Sequence, residues 1–392
     1  MSEWKEYKLG ELVQTNKKSI DSDYPFEEIE YLDTGSITRG KIESFQKYKL
    51  SEAPSRAKRL VVQDDIIYST VRPIQRHYGF IDNPLSNLVV STGFATITCE
   101  KDKLNPKFLY YLLSNDDTVE YLDVIAEAST SAYPSLRPSD IENLEIAIPG
   151  LPEQKSIASI LSSLDDKIDL LHCQNATLEK IAETLFRQWF VEDAKEEWEC
   201  YKLKDLVKHV KPGTNFQPKR IEYGIPFLNV RNLNNGFIDL SDTTKISKEE
   251  YQRVHKNWEP EENDILISRI GTLGIVAVIQ GSDLPVAVHY NMINLKAKTI
   301  SYQFLYFLLK SQLFKEKYFS NVRQSVQEYV TIEDTENVEI SLPIGTDLFK
   351  EHEIAFNELF NKIKSNQTQI RTLTALRDTL LPKLMSGEIR VL

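Results

Sequence analysis

The sequence predicts an α+β fold made of two similar domains and two long helices. Three observations lead there. First, the chain repeats itself at long range. Trp4-Lys5-Glu6-Tyr7-Lys8-Leu9 returns as Trp198-Glu199-Cys200-Tyr201-Lys202-Leu203, a shift of 194, and Lys107-Phe108-Leu109-Tyr110-Tyr111 returns as Gln303-Phe304-Leu305-Tyr306-Phe307, a shift of 196. Asp140-Ile141-Glu142-Asn143-Leu144 likewise returns as Asp334-Thr335-Glu336-Asn337-Val338. A period this long denotes whole domains, because solenoid units run about 20–50 residues. Second, short β-branched and aromatic runs are broken by Gly, Pro and Asn, without strict strand–helix alternation. Third, each copy is followed by a long apolar stripe with helical spacing.

In the first copy, strands are predicted at 26–32, 65–69, 78–81 and 94–98, a helix at 107–114, and a closing strand before Pro149-Gly150. The second copy repeats the plan with strands at 226–230, 264–268 and 274–279 and a helix near 304–310. The expected divisions are 1–150 and 198–345 for the domains, and 151–197 and 346–392 for the helical segments.

The first stripe is Ile157, Leu161, Leu164, Ile168, Leu171, Asn175, Leu178, Ala182, Leu185 and Trp189; the second is Phe356, Leu359, Ile363, Asn366, Ile370, Leu373, Arg377 and Leu380. Their alternating spacing of three and four is that of a coiled-coil seam. Helices of about 35–38 residues would span about 50–57 Å. Each seam holds one asparagine, a residue that costs stability in such a position but fixes register. Setting Asn175 against Asn366 in an antiparallel pair also matches Ile168 with Leu373, Leu178 with Ile363 and Leu185 with Phe356. Only Leu164 against Arg377 is awkward. The alternative is two amphipathic helices, each packed on its own domain.

Composition narrows the function. A hydrophobic content of 41% suits packed cores, and no apolar run approaches the about 18 residues of a membrane span. Three scattered cysteines and the absence of an apolar leader predict a cytoplasmic protein. The net charge of −11 speaks against a nucleic-acid binder taken as a whole. Its distribution does not: residues 39–59 carry seven Lys/Arg against two acids, and 202–220 carry six against one. Phosphate-binding loops, GxSxG and zinc-type histidine spacing are all lacking. Asp82-Asn83-Pro84-Leu85 has no aromatic residue to stack a flipped base and reads as a turn.

Several segments together resemble the DNA-specificity subunit of type I restriction-modification systems. They are Tyr31-Leu32-Asp33-Thr34-Gly35-Ser36-Ile37, Asp65-Ile66-Ile67-Tyr68-Ser69, Ile148-Pro149-Gly150-Leu151-Pro152-Glu153-Gln154, Asp264-Ile265-Leu266-Ile267-Ser268, and the ending Leu384-Met385-Ser386-Gly387-Glu388-Ile389. The second helix lacks the Glu-Gln start of the first. The resemblance implies that 1–150 and 198–345 are target-recognition domains, spaced by two antiparallel helices, each reading half of a split duplex sequence. It implies double-stranded DNA, two methyltransferase subunits and restriction/translocase subunits as partners. S-adenosylmethionine, ATP and magnesium would belong to those partners, leaving this chain non-catalytic. A two-headed protein–protein adaptor on a helical strut is the competing reading, and the acidic balance favours it.

Base edges are read by Arg or Lys at guanine and by Asn or Gln at adenine, while basic and hydroxyl groups hold phosphate. In the first domain the candidates are Arg39, Lys41, Arg56, Lys58, Arg59, Thr70, Arg72, Arg76 and His77, with Ser131 and Tyr133 in a loop of small hydroxyl residues. In the second they are Lys219, Arg220, Arg231, Asn232, Arg269, Thr272, Arg323, Gln324 and Gln327. Asn175 and Asn366 are expected to set the helix register.

Overall fold

The computed structural model describes residues 4–129, 133–215, 217–323 and 327–391. The chain forms two compact units, residues 1–170 with 369–392, and residues 171–368. Each has the mixed strand and helix content expected of an α+β fold.

In unit 1, Lys5–Lys8 pairs antiparallel with Glu145–Ile148, Lys5 opposite Ile148. One four-stranded sheet has the order Gln46–Lys49, Glu28–Leu32, Leu88–Ser91, Ala57–Leu60, with its two inner strands parallel. A second has the antiparallel order Val13–Thr15, Phe94–Cys99, Ile66–Ser69, Tyr78–Phe80. Helix Pro106–Ser114 buries Phe108, Leu109, Leu112 and Leu113 in the same core as Leu9, Ile66, Ala95 and Ile97. Asn105 starts that helix by accepting a hydrogen bond from the Phe108 N–H.

Unit 2 follows the same plan. Glu199–Lys202 pairs with Glu339–Leu342, Glu199 opposite Leu342. The repeated opening and closing motifs are therefore strand partners: each domain is shut by its own first and last strands. A six-stranded sheet is built around Met292–Ala297 and Ile265–Ser268, and a four-stranded sheet contains Arg220–Ile221, Thr244–Ile246, Ile225–Leu228 and Ala287–Val288. Leu228 pairs in parallel with Val288, as Leu32 does with Val90 in unit 1.

Sequence patterning finds strands Glu28–Leu32, Ile66–Ser69, Tyr78–Phe80 and Phe94–Cys99 but misses Gln46–Lys49, Ala57–Leu60, Met292–Ala297 and Leu88–Ser91, the last being buried on both faces without alternation. Helix Asp116–Glu127 is also unpredicted, because Tyr121 and Val124 lie on its exposed side and blur its apolar stripe.

The long helices run Leu151–Arg187 and Asp347–Met385. Within unit 2 their segments are antiparallel. The Asn366 Nδ2 donates to Asn175 Oδ1 at 2.8 Å, and the Trp189 and His352 rings stack at 4.0 Å. Within unit 1 they are antiparallel too, with Arg390 on Glu153 and Arg377 on Asp165. The awkward Arg377 is resolved by its neighbour. Its Nη1 donates to Asp165 Oδ1 at 2.8 Å, and the other Asp165 oxygen accepts from the Tyr111 hydroxyl at 2.7 Å. Burial works to lower the Arg377 pKa; the bonds to Asp165 and Asp378 outweigh it and raise it.

The helices also bury a second face against their domains. Phe360 is fully buried, with its ring centroid 5.0 Å from that of Tyr306 and 5.5 Å from that of Tyr302. Phe186 and Phe190 join the same aromatic cluster. Burying one such side chain is worth about 1.5–3 kcal/mol. Both arrangements set out above as alternatives thus occur in one helix: a seam on one face and domain packing on another. No helix among the described residues is long and apolar enough to cross a membrane.

Candidate nucleic-acid interface

Three loops meet in each unit. In unit 1 they are the exit from strand Ile66–Ser69, the turn between Leu88–Ser91 and Phe94–Cys99, and the segment before helix Pro138–Glu142. The Thr70 N–H donates to Gly93 O at 2.8 Å, the Leu136 N–H donates to Thr70 O at 2.7 Å, and the Arg72 N–H donates to Pro134 O at 3.1 Å. In unit 2, Arg269 donates to Asn291 O at 2.8 Å, Val330 donates to Arg269 O at 3.0 Å, and Gly271 donates to Glu328 O at 3.1 Å. The same backbone junction is thus made twice, with Arg269 in the place of Thr70.

Unit 1 brings four of its candidates, Arg56, Thr70, Arg72 and Tyr133, to this junction. The Thr92 N–H donates to Arg56 O at 2.8 Å, which attaches Arg56 to the Gly93 turn. The Thr70 hydroxyl donates to Gly93 O at 2.9 Å. Arg72 is held at a left-handed φ of 48°, and its guanidinium stands 5.6 Å from the ring centroid of Tyr133, which is 64% exposed. An arginine backed by an aromatic face keeps its donors free to point outward. Among the described residues, Arg39, Lys41, Arg56, Lys58 and Arg72 are exposed and form no ion pair. Ser131 lies outside the described residues.

Two candidates in unit 1 are committed elsewhere. Arg76 is bound by Asp116 at 2.5 Å, which neutralises its charge locally. His77 is a hairpin anchor, because its Nδ1 bonds the Ile37 carbonyl at 2.6 Å. Both support the tip Arg39-Gly40, whose N–H groups donate to Arg76 O and Tyr78 O. Arg59 is half-buried within strand Ala57–Leu60, and desolvation lowers its pKa.

In unit 2, Asn232 is a correction. It is 3% exposed; its Nδ2 donates to Asp239 O and Asp242 O, and its Oδ1 accepts from the Asn229 N–H. Its hydrogen-bonding capacity closes a loop and leaves nothing to read a base. The tip equivalent to Arg39-Gly40 is instead Asn235-Gly236, an Asn-Gly turn with both φ angles positive, a hairpin signature that sequence reasoning missed. Arg269 is half-buried and its Nε donates to Val330 O at 3.1 Å, so it braces the junction while facing it. Burial lowers its pKa. Arg323 pairs with Asp334 at 3.1 Å, and Arg231 more loosely with Asp242 at 3.4 Å. The Thr331 hydroxyl first, and then Arg323, hold the Asp334 carboxyl below its ordinary pKa. Thr272 and Gln327 are exposed beside the junction, and Lys219 and Arg220 are exposed on and before an edge strand. Gln324 lies outside the described residues.

A cavity of about 370 Å³ lies close by, lined by Gln217, Pro218, Arg220, Phe227, Asn229 and His289. It connects to the Arg269 junction through residues 289–291. His289 bridges Thr214, Tyr290 donates to Thr214 O, and Asn291 accepts from Arg269. Gln217, Asn229 and His289 were not among the sequence candidates. No group of His, Cys, Asp and Glu among the described residues could hold a metal ion.

The comparisons with known proteins agree with this architecture. The profile of the type I restriction modification DNA specificity domain matches residues 1–180 and again 195–375. The HindI specificity subunit of Haemophilus influenzae is 27% identical, with 99% of this chain and all of that protein covered. The MjaIX specificity subunit of Methanocaldococcus jannaschii is 33% identical over 85% of this chain and 79% of its own. A crystal structure of a type I S subunit from M. genitalium shares the fold, with a TM-score of 0.59 at 19% identity over 98% of this chain and 96% of that one. With two copies of the domain in one polypeptide, this chain belongs to the type I restriction-modification DNA specificity family, as a non-catalytic subunit for sequence-specific DNA recognition.

Proposed function

We propose that each unit reads one half of a split duplex target, and that the chain thereby directs methyltransferase and restriction subunits to that site. The observation that carries this reading is the duplicated loop junction, made by the same backbone hydrogen bonds around Thr70 and around Arg269 but furnished with different side chains. A shared scaffold with different polar groups suits two half-sites of different sequence, since backbone-phosphate contacts position a reader and base contacts specify. Arg39, Lys41, Arg56, Lys58 and Arg72, exposed and without an ion pair among the described residues, supply positive charge to unit 1 despite the acidic total.

In this reading double-stranded DNA is the ligand. Two methyltransferase subunits and the restriction/translocase subunits are the partners. S-adenosylmethionine, ATP and magnesium are bound by those partners, in the cytoplasm.

The test is selection from a random duplex library by the full-length chain co-purified with its methyltransferase subunits. Enrichment of two short motifs at a fixed gap is expected, with affinity falling steeply as salt rises. Enrichment of one uninterrupted motif would overturn the bipartite reading. Salt-insensitive association with protein and none with DNA would favour an adaptor.

A further inference from the structure

The cavity beside the Arg269 junction lies in unit 2. Its apolar lining is Phe227 and Pro218, both buried, and the Phe227 ring meets His289 edge-on with centroids 5.5 Å apart. Its polar lining consists of Gln217, Arg220, Asn229 and His289, with no carboxylate among the lining residues. Arg220 is exposed and forms no ion pair among the described residues. Burial, and then the Arg220 charge, lower the His289 pKa, so the imidazole is neutral at pH 7. Its Nδ1 accepts from the Asn291 N–H at 3.4 Å, which leaves the proton on Nε2. The lining is thus rich in donors: a guanidinium, two amide NH2 groups and an imidazole N–H.

The matching positions in unit 1 carry different groups. The Leu32–Val90 pair corresponds to Leu228–Val288, so Asp33 and Ser91 stand where unit 2 has Asn229 and His289. Asp33 accepts from the Ser36 N–H at 2.8 Å and from Gln46 Nε2 at 2.9 Å, and the Ser91 hydroxyl accepts from the Gly93 N–H at 3.1 Å. Those polar groups are consumed by the Ser36 and Gly93 turns and by Gln46 of a neighbouring strand.

Among base edges, the major-groove edge of guanine presents two acceptors, N7 and O6, and arginine is its commonest partner. Cytosine presents a donor there, best met by a carboxylate, which this lining lacks. Adenine presents a donor, N6, beside its N7, and the guanidinium of Arg220 has no acceptor to meet it. We infer that this cavity is the guanine-reading site of unit 2, with Arg220 as its principal donor and Gln217, Asn229 and His289 as supporting donors. The inference rests on the DNA-reading role proposed above and assigns one base of the second half-site to named residues.

The experiment is library selection by the full-length chain with its methyltransferase subunits, comparing the parent with Arg220→Ala and Gln217→Ala, both at exposed positions. Binding is then measured to the selected duplex with each guanine replaced in turn by 7-deazaguanine. The expected result is that Arg220→Ala relaxes the requirement for one guanine in one motif, with a loss of about 5- to 100-fold, and leaves the other motif unchanged. The 7-deaza substitution at that guanine should weaken the parent and have little further effect on Arg220→Ala. A loss uniform across sequences with a shallower salt dependence would make Arg220 a phosphate contact and overturn the site. Unchanged guanine requirements in both variants would overturn it as well, while leaving the bipartite reading intact. A parent that enriches no sequence would remove the DNA-reading role, and this site with it.

Discussion

The side-chain amide of Asn366 donates to that of Asn175 across 2.8 Å, and Asn366 itself is completely buried. A second Asn366 contact, to Gln174 Oε1, lies at 3.4 Å. Moving either helix segment by one turn would leave these amides facing apolar side chains. The pair therefore selects one register from several that apolar residues alone would tolerate. Asn366→Leu should keep the helix pair but loosen its alignment. With the native cysteines replaced, Leu178→Cys and Ile363→Cys should crosslink selectively in the parent background. In Asn366→Leu, crosslinks to positions one turn away should appear. Unaltered selectivity would deny the amide pair its register role.

Arg377 poses a different problem, since it lies against an otherwise apolar seam. Removing it leaves the Tyr111 hydroxyl as the one hydrogen-bond donor to the Asp165 carboxylate among the described residues. Arg377→Leu should destabilise unit 1 by about 2 kcal/mol, the usual scale for a lost charged hydrogen bond. Adding Asp165→Leu should recover much of that, because an abandoned charge costs more than a missing pair. Urea denaturation of the single and double variants checks this; strict additivity would count against it.

Gly236 turns at a φ of +81°, and a Cβ there would fall on the Tyr306 hydroxyl, which donates to Glu179 at 2.7 Å. Gly236→Ala should cost about 2 kcal/mol, combining left-handed strain with displacement of that hydroxyl. Gly40 has the same relation to Tyr110, so Gly40→Ala should behave alike in unit 1. Neutral melting behaviour of either variant would refute the close approach.

Arg72 and Arg269 occupy neighbouring positions in their loops but should fail differently. Arg72 is exposed, so Arg72→Ala should reduce DNA affinity while leaving the melting temperature unchanged. Arg269 is half-buried and donates to Val330 O, so Arg269→Ala should reduce affinity and also stability, by about 1 kcal/mol. Gel-shift titration alongside thermal melting separates them. Full affinity in Arg72→Ala would remove that residue from the interface.

Acid should affect unit 2 before unit 1. His209, His255, His289 and His352 all lie in residues 171–368, and burial lowers each pKa. As pH falls below the unfolded value of about 6.5, the unfolded chain takes up protons that the folded unit resists. Stability is therefore retained above that value and lost as pH drops through the lowered folded values. Hydrogen exchange, corrected for its intrinsic pH dependence, should rise more in peptides from 171–368 than in those from 4–170 between about pH 7.5 and 5.5. Equal changes in both would rule this out.

Part of the candidate interface was legible as neighbourhoods rather than as residues. The choice of basic and hydroxyl residues included the Thr70–Arg72 and Arg269 segments, which do meet other loops at the junction. That choice could not distinguish exposed Arg72 from Arg76, whose charge is answered by Asp116 from a helix forty residues away. Nor could it show that Asn232 faces inward while Asn229, three residues earlier, lines a cavity.

The duplication, the mixed fold and the two helical stripes follow from the chain alone, because repeats and periodicity are properties of residue order. The antiparallel register was also readable, since two polar residues interrupting two apolar seams must meet each other or remain unpaired. Which polar groups are available to a ligand was settled only by folding. A side chain's hydrogen-bonding capacity is exhausted or spared by partners brought from distant segments, as Asp33 is by Gln46 while its counterpart Asn229 lines an open cavity.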